Sequence, residues 1–158
     1  MNDAISNQRL VGSHPAVVER ANAADTALAA QGMGYRVVEA GRTFAESDAD
    51  YQKGRNGNPG PIITNAPGGF SWHNFNMAID VVPFLVGDSG AVDWNATDDH
   101  WKALIAALTA AGLPQRGGCK GDADHFELLE IPAVPTDADR AAFAAGGLPA
   151  VWAQYVIS

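Results

Sequence analysis

The chain has 158 residues, close to the roughly 150 of one domain, and with 47% apolar and 18% charged residues it is too hydrophobic for disorder. Ten Lys and Arg against 18 Asp and Glu give a net charge of −8, which excludes a basic stripe for phosphates, so neither nucleic acid nor an anionic membrane is an expected partner. No apolar run approaches the roughly 18 residues of a membrane span, so no membrane insertion is expected, and residues 1–14 lack the charged-then-apolar order of a secretory signal. The expectation is a soluble protein made in the cytoplasm.

Pro15, after Ser13 and His14, is placed to open a helix over about 15–30 with Val18, Ala21, Ala24 and Leu28 on one stripe. Gly32 and Gly34 end it, and Tyr35 to Glu39 reads as a short strand. A second helix is predicted over about 44–53. The glycines and prolines between Gly54 and Gly69 then predict a long loop, interrupted by a short Ile62-Ile63 strand. Ala78 to Val82 reads as a buried strand whose one carboxylate, Asp80, requires a partner. Thr97 caps a helix with Trp101, Leu104, Ile105, Leu108 and Ala111 on one face, and His125 to Leu129 forms a further strand. The tail, 131–158, is too short for its own core and reads as one or two helices around Gly146, Gly147 and Pro149, packed on a single domain spanning 1–158. Helices mixed with short strands, without regular βαβ alternation, predict an α+β fold with a small, mostly antiparallel sheet.

A single cysteine, Cys119, excludes an internal disulfide, and an incidental thiol is commoner than a reactive one. Four histidines are present. His73 lies seven residues before Asp80 across a loop-to-strand transition, and His125 opens the later strand. Strands meeting at these ends bring His73, Asp80 and His125 together as N, O and N ligands, the three-ligand count of a catalytic zinc site with a position left for water. Structural zinc takes four protein ligands. A lone histidine is more often simply hydrogen-bonded, and His14 and His100, at predicted helix starts, need no further explanation.

The segment Ser71-Trp72-His73-Asn74-Phe75-Asn76-Met77-Ala78-Ile79-Asp80 is similar to a Ser-x-His-x-x-Gly-x-Ala-x-Asp signature, and Asp122 to Glu127 resembles a second, an acidic residue three before the His of a His-Phe pair. Both belong to the zinc peptidases that include D-alanyl-D-alanine carboxypeptidases and dipeptidases and the phage L-alanyl-D-glutamate endopeptidases. Gly41-Arg42-Thr43 and Tyr51-Gln52-Lys53-Gly54-Arg55 resemble elements of the phage endolysin branch, and the likeness covers roughly residues 10–130.

The resemblance implies a hedgehog/D,D-peptidase-like domain with the zinc site at strand ends. It implies Zn2+ held by His73, Asp80 and His125, Asp122 as general base, and Arg42 with Ser71 orienting the peptidoglycan stem peptide. It further implies a monomeric endolysin, kept in the host cytoplasm until released to the cell wall. A D-alanyl-D-alanine peptidase and a catalytically silent wall-binding module are the alternatives.

Asp124 competes with Asp122 for the base role, but in an extended segment it points away from His125. Glu127, on the face of His125, either orients that ligand or forms an ion pair. Trp72, Phe75 and Trp101 read as packing. Three residues depart from the family pattern: Asn76 where the signature has Gly, Ser47 where relatives tend to carry Gln, and Asp50 at a usually apolar position. The last two bear on the expected substrate contacts near Arg42.

Overall fold

The structure is a computed structural model and describes residues 3–85, 92–116 and 123–157. A short helix not anticipated from the sequence, α1 (Ala4–Arg9), comes first, and its single buried residue, Ser6, leaves no apolar period to read. Helix α2 (Pro15–Ala29) opens on Pro15, with the Nδ1 of His14 accepting from the Ala16 amide at 3.1 Å. Val17, Ala21, Ala24 and Leu28 form its buried stripe, and Gly32, at φ +72°, turns the chain away from the helix axis. Helix α3 (Phe44–Gln52) is held at its start by a reciprocal capping box between Thr43 and Glu46.

Three antiparallel strands, β1 (Met33–Glu39), β2 (Ala78–Leu85) and β3 (His125–Glu127), make one sheet in the order β1-β2-β3. The fold is α+β. Ala78, Ile79, Val81 and Val82 are all fully buried, so both faces of β2 are covered, which explains why it reads as an apolar run rather than an alternation. Pro83 is tolerated because β3 pairs only with Ala78 to Asp80, leaving Pro83 beyond the doubly paired part of β2. A register shift between Val37 and Glu39 sets Glu39 opposite Asp80, and Asp80 lies opposite His125 on its other side. One row across the sheet therefore carries Glu39, Asp80 and His125.

Helix α1 closes the outer edge of β1 with side chains. The Val37 amide donates to Ser6 Oγ at 2.9 Å, Arg9 Nη1 donates to the Val37 carbonyl at 2.7 Å, and Arg36 pairs with Asp3. Helix α4 (Asp98–Ala110), capped by Thr97, buries Leu104 and Leu108. It packs on α2, whose Arg20 reaches the Gly112 carbonyl and Glu130.

Helix α5 (Asp137–Trp152) is bent where Gly147 takes φ +67°, just before Pro149. Its Phe143 stacks on Phe44 at 4.8 Å and meets Phe75 edge-on, while Trp152 Nε1 donates to the Phe75 carbonyl at 2.8 Å. Trp72 and Phe75 lie in the core, each at most 1% exposed, and burying an aromatic ring of this kind contributes about 2–3 kcal/mol. The Ile62-Ile63 pair, expected as a strand, belongs to none: both residues are more than half exposed and lie in irregular chain. Ile63 lines a pocket instead of a sheet. No helix among the described residues is long and apolar enough to cross a membrane.

Candidate metal centre

His73 sits in a 3₁₀ turn (Trp72–Phe75) that leads into β2. Ser71 caps the turn, its Oγ accepting from the His73 amide at 3.3 Å, and Asn76 ends it in the left-handed region at φ +56°. Asn is among the few side chains that tolerate this conformation, so the residue standing in place of the signature glycine suits the left-handed backbone found here. Its Nδ2 also donates to the Gly12 carbonyl at 2.7 Å. With the turn so fixed, His73 Nε2 lies 3.0 Å from Asp80 Oδ1 and 3.0 Å from His125 Nδ1, and His125 Nδ1 lies 3.1 Å from Asp80 Oδ1. The two imidazoles meet edge to face at 4.9 Å.

These three atoms fit a metal ion by their chemistry. Two imidazole nitrogens and a carboxylate oxygen converge on one point, and a cation there satisfies all three lone pairs at once. Without a metal, protons must hold the cluster together. Burial opposes charging His125, but hydrogen bonds and charge from Asp80 and Glu127 push its pKa up to about 10. Burial likewise opposes ionising Asp80, yet the two histidines hold its carboxyl far below the usual range. His73 Nδ1 is buried and has no hydrogen-bond partner among the described residues.

The triad forms the floor of a cavity of about 150 Å³, lined also by Arg42, Ser71, Phe70, Ile63, Pro135 and Glu127. Arg42 and Ser71 thus line the same cavity as the histidines. The guanidinium of Arg42 is already engaged: Nε donates to Glu39 Oε1 at 2.6 Å, Nη2 donates to Glu39 Oε2, and Nη1 faces Asp50 Oδ2 at 3.8 Å. Its forked face is therefore taken by Glu39. Asp50, the departure noted in α3, supplies a second carboxylate to the same guanidinium.

Ser47, one of the departures from the family pattern, is fully buried beneath the Arg42 segment rather than lining the cavity. Its hydroxyl accepts from Asn74 Nδ2 at 2.7 Å. Asn74 was missed in the sequence, yet it joins three segments. Its Oδ1 accepts from the Gly69 amide at 2.9 Å, and Nδ2 donates to the carbonyls of Arg42 at 2.9 Å and Thr43 at 3.3 Å. The Arg42 amide in turn donates to the His73 carbonyl at 3.0 Å. An asparagine between a histidine and a phenylalanine carries no signal of such a role.

Arg55 of the Tyr-x-x-Gly-Arg element also has a structural task. It stacks on Tyr51 at 4.1 Å and donates to the carbonyls of Tyr51 and Thr64 and to Asn65 Oδ1, tying the loop that forms one cavity wall to the end of α3. Asp122, expected as the base, and Cys119 lie outside the described residues. Asp124 is described, and its carbonyl accepts from the Val81 amide at 2.9 Å.

No protein-family model matches the chain. Among curated proteins it is 32% identical over 126 residues to the peptidoglycan L-alanyl-D-glutamate endopeptidase CwlK of Bacillus subtilis (strain 168), covering 75% of this chain and 74% of that one. The chain belongs to the peptidoglycan L-alanyl-D-glutamate endopeptidase family. Among solved structures, the L-Ala D-Glu endopeptidase ChiX of Serratia marcescens has the same fold, with a TM-score of 0.54 and 23% identity over 79% of this chain and 86% of that one.

Proposed function

We propose that this chain hydrolyses the L-alanyl-D-glutamate bond of the peptidoglycan stem peptide, using a zinc ion held by His73, Asp80 and His125. The observation that carries the reading is the convergence of those three ligand atoms in a cavity that also holds Arg42 and Ser71. When bound, zinc supplies Lewis acidity for activating water and polarising a peptide carbonyl. Asp122, three residues before His125 in the motif, takes the proton from the attacking water and returns it to the leaving amine. Ser71 Oγ accepts from the His73 amide, which leaves its hydroxyl hydrogen free to donate to a substrate oxygen. Arg42, clamped by Glu39, turns Nη1 toward a substrate carboxylate, with Asp50 at 3.8 Å as its resting partner. Ile63, Phe70 and Pro135 provide an apolar wall against which the peptide excludes water.

Digestion of purified peptidoglycan, followed by mass spectrometry of the new termini, tests the reading. A new N-terminal D-glutamate, with L-alanine left on the glycan side, lost on chelation and restored by zinc, is the expected result. Release of D-alanine instead would assign the D-alanyl-D-alanine peptidase activity. Zinc-loaded, folded protein that releases nothing would leave a wall-binding module. Asp122→Ala is expected to bind zinc and to lose cleavage; unchanged cleavage removes Asp122 from the mechanism.

The endolysin-type elements around Arg42 and Arg55 support a role in phage lysis, with a monomeric enzyme held in the host cytoplasm until it is released to the wall. Expression in a susceptible host is expected to lower culture turbidity only when a membrane-permeabilising protein is produced with it. Lysis without that protein would overturn the placement.

A further inference from the structure

The cavity floor contains one ionisable group that neither the ligand triangle nor the proposed proton transfer uses. Glu127 is 1% exposed and stands directly behind His125. His125 turns Nδ1 toward His73 and Asp80 and Nε2 toward Glu127 Oε2, 3.4 Å away. The other oxygen, Oε1, faces Arg116 Nε at 3.4 Å, and neither of those atoms has a hydrogen-bond partner among the described residues. Arg116 is itself fixed, because its Nη2 donates to the carbonyls of Leu128, Leu129 and Ile131, the chain that leaves β3.

We infer that Arg116 and Glu127 form a positioning pair that holds the His125 ring with its Nδ1 lone pair toward the metal and strengthens that nitrogen as a ligand. The inference rests on the metal reading above. A buried carboxylate is costly wherever an apolar side chain of the same length would fill the space, so its presence calls for a partner that needs its charge. Two such partners are in place, one on each oxygen. Through Oε2 the carboxylate accepts from Nε2–H, which selects the tautomer that leaves Nδ1 free and raises the electron density of the ring. Through Oε1 it is held against Arg116, whose three carbonyl contacts fix the guanidinium to the backbone following His125. A plain ion pair would account for Arg116 alone and would leave the aim of Oε2 at the imidazole without purpose.

The test compares zinc affinity, by competition with a chromophoric chelator, in wild type, Glu127→Gln and Glu127→Met, together with the 15N shift of His125 Nε2 in the zinc-loaded protein. Glu127→Met, which keeps length but offers no acceptor, is expected to bind zinc 10- to 100-fold more weakly, and Glu127→Gln, which keeps an acceptor without charge, to lose about threefold to tenfold. The Nε2 resonance should move in both. Met and Gln variants with equal losses, or a Gln variant within twofold of wild type with an unmoved Nε2 resonance, would overturn the inference. The Gln variant decides the matter if the Met variant does not fold. Wild type that binds no zinc would instead remove the metal reading, and this inference with it.

Discussion

The indole Nε1 of Trp152 donates to the carbonyl of Phe75 at 2.8 Å, so the last turn of α5 holds the 3₁₀ turn that carries His73. The two residues are 77 positions apart, and the contact couples the C-terminal helix to the site. Trp152→Phe keeps a ring in place but leaves the carbonyl without its donor. A loss of about 1–3 kcal/mol in denaturant unfolding is expected, with a severalfold weaker metal affinity. Stability within about 0.3 kcal/mol of wild type would show that the carbonyl finds another donor.

Asn74 bonds to four groups from inside the protein. Asn74→Asp has the same shape but cannot donate to the carbonyls of Arg42 and Thr43, and it sets a buried charge beside them. It is expected to cost about 2–4 kcal/mol by chemical denaturation and to raise KM through the loosened Arg42 segment. A KM equal to that of wild type would separate Asn74 from substrate binding.

The Arg36 guanidinium, with burial opposing and Ser6 donors assisting, holds the Asp3 carboxyl at about 2 against its ordinary 3.8. A depressed carboxylate stabilises the fold above its unfolded pKa, and that contribution disappears as the pH falls through the folded value. Asp3→Asn is therefore expected to cost about 1–2 kcal/mol at pH 7, allowing for solvent screening, and nothing below pH ~2. Unfolding curves across that range check the sign, and a pH-independent difference would contradict it.

Gly41 and Asn76 are coupled sterically. A Cβ on Gly41 would lie 2.5 Å from Asn76 Oδ1, and the Asn76 side chain is held in place by the Gly12 carbonyl. Gly41→Ala alone is expected to destabilise by about 1–3 kcal/mol, and far less in an Asn76→Gly background. Additive effects in the double-mutant cycle would refute the coupling.

The site was legible to the extent that its chemistry lies in spaced side chains of unusual type. His73, Asp80 and His125 stand out because a carboxylate inside an apolar strand needs a partner, and Asp80 has two within 3.1 Å. The long helices were legible through caps and apolar periods, as at Thr97 and Pro15. What was not legible depends on tertiary approach. The register shift in β1 that sets Glu39 opposite Asp80, in the row beside the metal ligands, carries no sequence signal. Asn74 and Ser47 read as loop and helix-surface residues until the chain folds over them. Ile62 and Ile63 carry strand propensity but meet no neighbouring strand, and propensity without a pairing partner does not make a sheet.

The side chains with which α1 covers β1 have a consequence for how the protein behaves in a crowd. Ser6 and Arg9 occupy the outward amide and carbonyl of Val37, where a fourth strand would otherwise bind. An uncovered edge of this kind is a template for a neighbouring chain. Six residues of helix thus act as a terminator, and a form of the protein shortened past Arg9 would carry an intact His73–Asp80–His125 cluster on a sheet free to recruit strands from its neighbours and aggregate.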